Sequence, residues 1–159
     1  MIAMATAAKV EDLTLSINEE IHVKAPMGVT FDTLLEQLGS LMGGAEDRPM
    51  PMKIEPWPGG RWYRDLGDNN GHLWGHVQAI KRPTLLEIYG PLMMSYAVMS
   101  NVQYRLSEEA GGTLIKFHHL ALGAIPADHR EGFGKGWASI AARLKERAEK
   151  LRTGKNPAR

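Results

Sequence analysis

Hydrophobic and polar residues alternate in LTLSINEEIHV near the start of the chain, where the apolar positions are Leu13, Leu15, Ile17, Ile21 and Val23. A period of two is typical of a strand with one buried face, so the pattern predicts a strand over residues 13–23. Glu19 interrupts the apolar stripe and faces inward with it, unless a bulge shifts the register.

The spacing changes to three and four residues after Pro26, with apolar positions at Phe31, Leu34, Leu35, Leu38 and Leu41. This spacing predicts a short amphipathic helix, which the following glycines end.

From Met50 to Gly123 the pattern predicts short strands, namely MKIEPW, GRWYRDL, HLWGHVQAI, LLEIYG, AVMSNVQYRL and TLIKFHHLAL. Turn sequences such as PGG and GDNNG separate them, which indicates an antiparallel meander.

One continuous apolar stripe follows Pro126, at Phe133, Trp137, Ile140, Leu144, Ala148 and Leu151. A helix over residues 129–151 would be roughly 34 Å long, enough to cross a small sheet. We therefore predict an α+β fold in which a curved antiparallel sheet of about six or seven strands wraps around a long C-terminal helix. Residues 10–152 form one domain in this interpretation, and residues 1–9 and 153–159 are flexible ends.

The composition of the chain argues against several classes of function. The chain has 159 residues and a net charge of +1, so no overall field favours nucleic acid or an anionic membrane. It has no cysteine, which excludes disulfides and thiolate metal ligands and is compatible with the cytoplasm. The N-terminal segment lacks the pattern of a signal peptide and no run is long enough to span a membrane, so we expect a cytoplasmic protein without stable membrane insertion.

Four segments carry a family resemblance, namely PWPGGRW, GHLWGHVQAIKRPTLLEI, GGTLIKFHHLAL and GKGWASIAARL. Together they resemble the homologues of the activator of the Hsp-90 ATPase, a family of the START-like (SRPBCC, Bet v 1-like) superfamily. The resemblance implies a helix-grip fold with a cavity between the sheet and the C-terminal helix. The chain departs from the common pattern in GSLMGGAEDRPMPM and in the methionine-rich GPLMMSYAVMS, where such domains usually admit ligands or differ in specificity.

Aromatic and polar residues on the expected inner face are candidates for the lining of this cavity. They are Glu19, Trp62, Trp74, Tyr89, Met99, Tyr104, Phe117, His119, Phe133 and Trp137. Each could equally fill the core, and Met93 and Met94 could pack in the strands or form an adaptable entrance.

The polar members of this set leave alternatives open. His119 follows Ile115 and Phe117 at period two, so it is either a hydrogen-bonded core residue or a contact in the cavity. Glu19 could pair with His119, Arg64 or Tyr104. Of all the acids and bases in the chain, Glu19 with His119 is the pair we would nominate for catalysis.

No metal or cofactor is predicted. His72 and His76 have HxxxH spacing, but four residues along a strand span about 13 Å, too far for a shared zinc ion. Neither PGGR nor GKGW has the spacing of a phosphate-binding loop.

Three functions follow from this interpretation. The first is a domain that binds a small hydrophobic or amphipathic molecule in the cavity. The second, from the resemblance alone, is an interaction module like the Hsp-90 ATPase activator, and the third is a cavity enzyme such as a cyclase, dehydratase or hydrolase. An exposed edge of the sheet could also pair across a two-fold axis and form a homodimer.

Overall fold

The computed structural model describes residues 9–44, 46 and 48–153. The predicted flexible ends lie outside this part of the chain, except at Lys9 and Thr153. The helices and strands, in chain order, are α1 (Val10–Leu13), β1 (Thr14–Val23), α2 (Met27–Leu38), β2 (Lys53–Ile54), β3 (Arg61–Gly67), β4 (Asn70–Lys81), β5 (Leu85–Gly90), β6 (Val98–Glu109), β7 (Gly112–Gly123) and α3 (Ala127–Thr153).

The strands form a single antiparallel sheet of seven strands in the order β1-β7-β6-β5-β4-β3-β2. The sheet is curved and open, and the long helix α3 packs on its inner side, which confirms the predicted α+β helix-grip fold. Among the described residues, no helix is both long and apolar enough to cross a membrane.

Helix α3 is tied to the sheet near both of its ends. Near its beginning, the Arg130 guanidinium donates hydrogen bonds to the backbone carbonyls of Asp12 in α1 and of Thr14 at the start of β1. Near its end, a carboxylate oxygen of Glu149 accepts a hydrogen bond of 3.0 Å from the backbone N–H of Lys24, just after β1. These contacts fix the direction in which α3 crosses the sheet.

Aromatic rings fill the space between α3 and the strands β6 and β7. The ring centroids of Tyr104 and Phe117 are 4.9 Å apart, and those of Phe117 and Trp137 are 4.8 Å apart. Tilted rings at this separation pack favourably beyond their burial. Because this side of the interior is filled, any larger space must lie elsewhere along α3.

An irregularity in β4 changes which side chains face the interior. Trp62 pairs with Gly75 and Tyr63 with Leu73, so Trp74 has no partner in the register and is buried together with Gly75. A Cβ on Gly75 would stand 2.4 Å from the backbone oxygen of Tyr89, which explains why only glycine fits there. The extra residue of the bulge turns Trp74 toward α3 and the connection after α2.

The bulge also bears on the HxxxH pair. The Nδ1 of His72 accepts a hydrogen bond of 3.2 Å from the Trp74 indole on the inner side. His76, beyond the bulge, stacks on the exposed ring of Tyr89 with 5.7 Å between the centroids. The two imidazoles therefore lie on opposite faces of the sheet.

Candidate functional site

A cleft of about 510 Å³ lies between α3 and the connection that follows α2. We call it the α3 cleft, and it is lined by Met42, Gly43, Gly44, Met50, Trp74, Met93, Asp128, His129, Gly132, Phe133, Gly136, Trp137, Ser139, Ile140 and Arg143. Most of its surface is apolar, and its volume lies within the range of roughly 300–1,000 Å³ that is usual for small-molecule sites.

The helix wall of the cleft combines large apolar side chains with glycines. Phe133, Trp137 and Ile140 come from the apolar stripe of α3, while Gly132 and Gly136 stand one helical turn apart on the cleft side. A Cβ at either glycine would meet no atom within 4 Å, so packing does not demand glycine there. Each costs the helix about 1 kcal/mol relative to alanine, and both leave the cleft wider.

The opposite wall is built from methionines and glycines of the connection. An isolated antiparallel bridge joins Gly43 to Pro49, and the Met50 N–H donates a hydrogen bond of 3.0 Å to the Met42 carbonyl. The connection is thus folded back on itself across from α3. Methionine side chains adapt to irregular shapes, which suits a wall that contacts a ligand.

The ionisable residues in the lining of the cleft are Asp128, His129 and Arg143. His129 is held at the mouth, where its Nδ1 lies 2.8 Å from the hydroxyl of Tyr96 and its ring packs edge-on to Phe133. The Arg143 guanidinium packs against Gly43, where a Cβ would collide with it at 1.8 Å. The chemistry of the cleft is therefore apolar, with polar groups at its margins.

Three of the predicted cavity residues, Trp74, Phe133 and Trp137, line this cleft. Trp62 lies behind Trp74, with 5.1 Å between the ring centroids, and its N–H donates a hydrogen bond of 2.7 Å to the carbonyl of Leu38. Leu38 is the last residue of α2, so Trp62 satisfies one of the carbonyls that a helix leaves open at its end. Its contacts in the structure hold α2 against the sheet.

His119 is fully buried behind Trp137 and outside the cleft lining. Its Nδ1 accepts a hydrogen bond of 3.0 Å from the indole N–H of Trp137, and its Nε2 lies 2.9 Å from the Ser100 hydroxyl. Because an indole can only donate, the proton of the neutral ring is on Nε2. Burial, helped by the charge of His118, lowers the pKa of His119 to about 4. Both ring nitrogens are occupied by protein groups, which suits a structural role.

Glu19 faces the interior without any bulge in its strand. β1 keeps a continuous register with β7 from Thr14 to Val23, in which Glu19 pairs with Phe117. The alternative prediction, that a bulge turns Glu19 away from the interior, is therefore wrong. Burial raises the pKa of the Glu19 carboxyl. Burial also raises the pKa of the Tyr104 hydroxyl, and the charge of Glu19 raises it further, which places the two groups near each other.

We expect Glu19→Gln to stabilise the protein at pH 7. The folded state raises the pKa of this carboxyl, so the wild type loses stability as the pH rises through the range in which Glu19 ionises. Glutamine keeps the shape and removes the charge. Chemical denaturation at pH 7 and at pH 4 measures the effect: the advantage of the variant should shrink at pH 4, and Glu20→Gln on the exposed face should change stability by less than about 0.5 kcal/mol.

Two predicted cavity residues lie on the outer face of the sheet. Tyr89 is 38% exposed and Met99 is 54% exposed, and both alternate with buried neighbours in their strands. Assigning them to the cavity was wrong, because side chains one position apart in a strand point to opposite faces. Their direct neighbours Ile88 and Ser100 are buried.

Most residues that line the cleft were not among the predicted cavity residues, including the glycines of α3 and the methionines of the connection. Two signals pointed to it. The segments GSLMGGAEDRPMPM and GPLMMSYAVMS, noted as departures from the family pattern, supply Met42, Met50 and Met93. The three alternate glycines of GFGKGW are costly in a helix, and two of them, Gly132 and Gly136, line the cleft.

No group of three or more histidine, aspartate or glutamate side chains in the described part of the chain is arranged to hold a metal ion. The cleft offers apolar surface, one imidazole, one carboxylate and one guanidinium. This arrangement can hold a small molecule by burial and orient it through a few polar contacts.

Comparison with known proteins bears on the family and the fold. A family model described as Activator of Hsp90 ATPase homolog 1-like protein matches residues 48–149. No curated protein matches the chain in sequence.

Solved structures are similar to this chain at low sequence identity. Protein MLL2253 from Mesorhizobium loti has a TM-score of 0.61 at 16% identity, covering 88% of this chain and 99% of that one. Ara h 8.0201 has a TM-score of 0.65 at 13% identity, covering 85% and 97%. The di-domain ARO/CYC StfQ from the steffimycin biosynthetic pathway has a TM-score of 0.62 at 9% identity, covering 90% of this chain and 52% of that one. At these identities the similarity establishes the fold.

Proposed function

Because this chain belongs to the Activator of Hsp90 ATPase homolog 1-like family of START-like proteins, we propose that it binds a small hydrophobic or amphipathic molecule in the α3 cleft. The fold is consistent with a ligand-binding domain. The cleft supplies the apolar surface for such a ligand, because Trp74, Phe133 and Trp137 line it together with the methionines of the opposite wall.

The observation that carries this proposal is the glycine wall of α3. Gly132 and Gly136 reduce the stability of the helix and satisfy no packing requirement, yet they widen an apolar cleft. A cleft kept open at the expense of helix stability is expected where the space is used by a ligand. Without a ligand, alanine would serve the helix better at both positions.

A titration with N-phenyl-1-naphthylamine, an uncharged aromatic probe that fluoresces in apolar surroundings, tests the proposal. We expect saturable binding to the wild type and binding weaker by roughly tenfold for Gly136→Leu, since a side chain placed in the cleft competes with the probe for space. Leucine is a good helix former, so the variant should fold.

Gly134→Ala provides the matched control for this titration. Gly134 lies in the same helix but outside the cleft lining, and a Cβ there meets no atom within 4 Å. The control should bind the probe like the wild type while gaining about 1 kcal/mol in unfolding free energy. The absence of saturable binding to the wild type, or equal binding by Gly136→Leu, would overturn the proposal.

The enzyme alternative is supported by the fold of the ARO/CYC protein, although the nominated residues do not meet at the cleft. Neither Glu19 nor His119 lines it, and both nitrogens of His119 have protein partners. The alternative of a chaperone-interaction module draws on the family description alone. Ligand binding is therefore the function that the geometry favours.

A further inference from the structure

A second depression, with three charged residues in its lining, adjoins the α3 cleft. It has a volume of about 400 Å³ and is lined by Gly44, Glu46, Arg48, Pro49, Met50 and Arg64. Gly44 and Met50 also line the α3 cleft, so the two spaces share a wall. A molecule with an apolar part in the cleft can therefore extend a polar end past Met50 toward Arg64.

Arg64 differs from the other cations in this part of the molecule. Arg61 is paired with Glu55 at 2.7 Å, Lys53 with Asp65 at 2.7 Å, and Arg48 with Glu46 at 3.1 Å. Arg64 is half-buried and, within the described residues, makes no side-chain hydrogen bond or ion pair. A guanidinium partly removed from water is stabilised by an anion, and it binds carboxylates through two parallel hydrogen bonds.

The neighbour of Arg64 across the strands is a histidine. Arg64 pairs directly with His72, and both residues line a depression at the β3–β4 hairpin. The Nδ1 of His72 accepts the hydrogen bond from Trp74, so the proton of the neutral ring is on Nε2. Trp74 itself lines the α3 cleft, and it therefore connects the apolar space to the polar pair.

The charged residues around the cleft bear on where an anionic group of a ligand would bind. Asp128 lies at the end formed by the start of α3, where a negative group of a ligand would be repelled. Two carboxylates near Arg64, those of Glu46 and Asp65, are already paired with Arg48 and Lys53, whereas Asp68 lines the β3–β4 depression together with Arg64. The guanidinium of Arg64 thus favours an anion at its end of the site.

We propose that Arg64 binds the acidic head group of an amphipathic ligand whose apolar part occupies the α3 cleft. This inference rests on the proposed function and adds the chemical class of the ligand, an amphipathic carboxylate or a comparable small anion. The guanidinium provides the charge and the paired donors, and the aromatic and methionine walls enclose the chain or ring of the ligand.

Displacement of N-phenyl-1-naphthylamine by decanoate and by decan-1-ol, at pH 7.5 and low ionic strength, tests the inference. The two displacing molecules share the apolar chain and differ in the charge of the head group. We expect decanoate to displace the probe from the wild type at a lower concentration than decanol does. For Arg64→Gln, decanoate should bind about tenfold more weakly and decanol unchanged.

Arg105→Gln provides a matched control, because Arg105 is exposed on strand β6 and donates a hydrogen bond of 3.2 Å to Gln103. This control should bind both molecules like the wild type. Equal affinity of Arg64→Gln and wild type for decanoate would overturn the inference, as would a loss confined to Arg143→Gln. In either case continued binding of the naphthylamine probe leaves the proposed function standing, whereas failure of the probe to bind the wild type refutes both.

Discussion

Replacing Trp62 by alanine is expected to lower the free energy of unfolding by about 3–5 kcal/mol. The side chain has no solvent exposure, packs edge-on to Trp74 and donates its N–H to the Leu38 carbonyl at the end of α2. Alanine leaves a cavity and a buried carbonyl without its donor, and both are costly. Denaturation in urea followed by far-ultraviolet circular dichroism measures the loss.

Trp57→Ala is the matched control, since Trp57 precedes the same strand and is 54% exposed. It should change stability by less than about 1 kcal/mol. If the two variants lost similar amounts of stability, Trp62 would not be the anchor between α2 and the sheet.

The second large effect is a pH dependence centred on His119. Its folded pKa of about 4 lies below the unfolded value of about 6.5, so the unfolded state binds more protons between these two values. The stabilisation that His119 provides is therefore complete above about pH 6.5 and is lost as the pH falls toward 4. From the size of the shift, the loss is on the order of 3 kcal/mol.

Comparison of the wild type with His119→Gln between pH 7.5 and pH 4 isolates this contribution. The variant should be less stable at neutral pH, because glutamine cannot reproduce both hydrogen bonds to Trp137 and Ser100. The difference between the two proteins should narrow steadily as the pH falls. Stability curves that stay parallel over this range would show that His119 is not held neutral by its surroundings.

The fold could be predicted from the sequence because its signals are local and periodic. The alternation in β1 and the stripe of α3 each identify a buried face, and the turns between strands leave few topologies open. The predicted helix over residues 129–151 lies within the observed helix Ala127–Thr153. The short helix α1 was missed, because four residues are too few to show a period, whereas β2 lies within the predicted strand MKIEPW.

The site was harder to predict, because a cleft is a property of the space between elements that are distant in sequence. The apolar stripe identified Phe133 and Trp137 as inward-facing, but it could not show that rings would fill one side of α3 and leave the other open. Tyr89 and Met99 were misplaced because an apolar side chain in a strand gives no information on which face carries it. The bulge that turns Trp74 inward depends on pairing between β3 and β4, which no single segment reveals.

Polar residues on the inner face were recognised for their position, but the sequence left the choice among their candidate partners open. Glu19 interrupts an otherwise apolar stripe, which is visible in the sequence, while its proximity to Tyr104 depends on the pairing of β1, β7 and β6. His119 was likewise placed inside by its spacing. That both of its nitrogens are occupied follows from Trp137 on α3 and Ser100 on β6, elements that meet it only in the folded state.

Methionine methyl groups offer the most direct test of ligand binding in the α3 cleft. Among the nine methionines, Met42, Met50 and Met93 line the cleft, whereas Met99 is exposed on the outer face. In carbon-13 methyl-methionine NMR spectra recorded during a decanoate titration, we predict saturable shifts for the three cleft methyls and none for Met99. Shifts confined to Met99, with the three cleft methyls unchanged, would contradict the account.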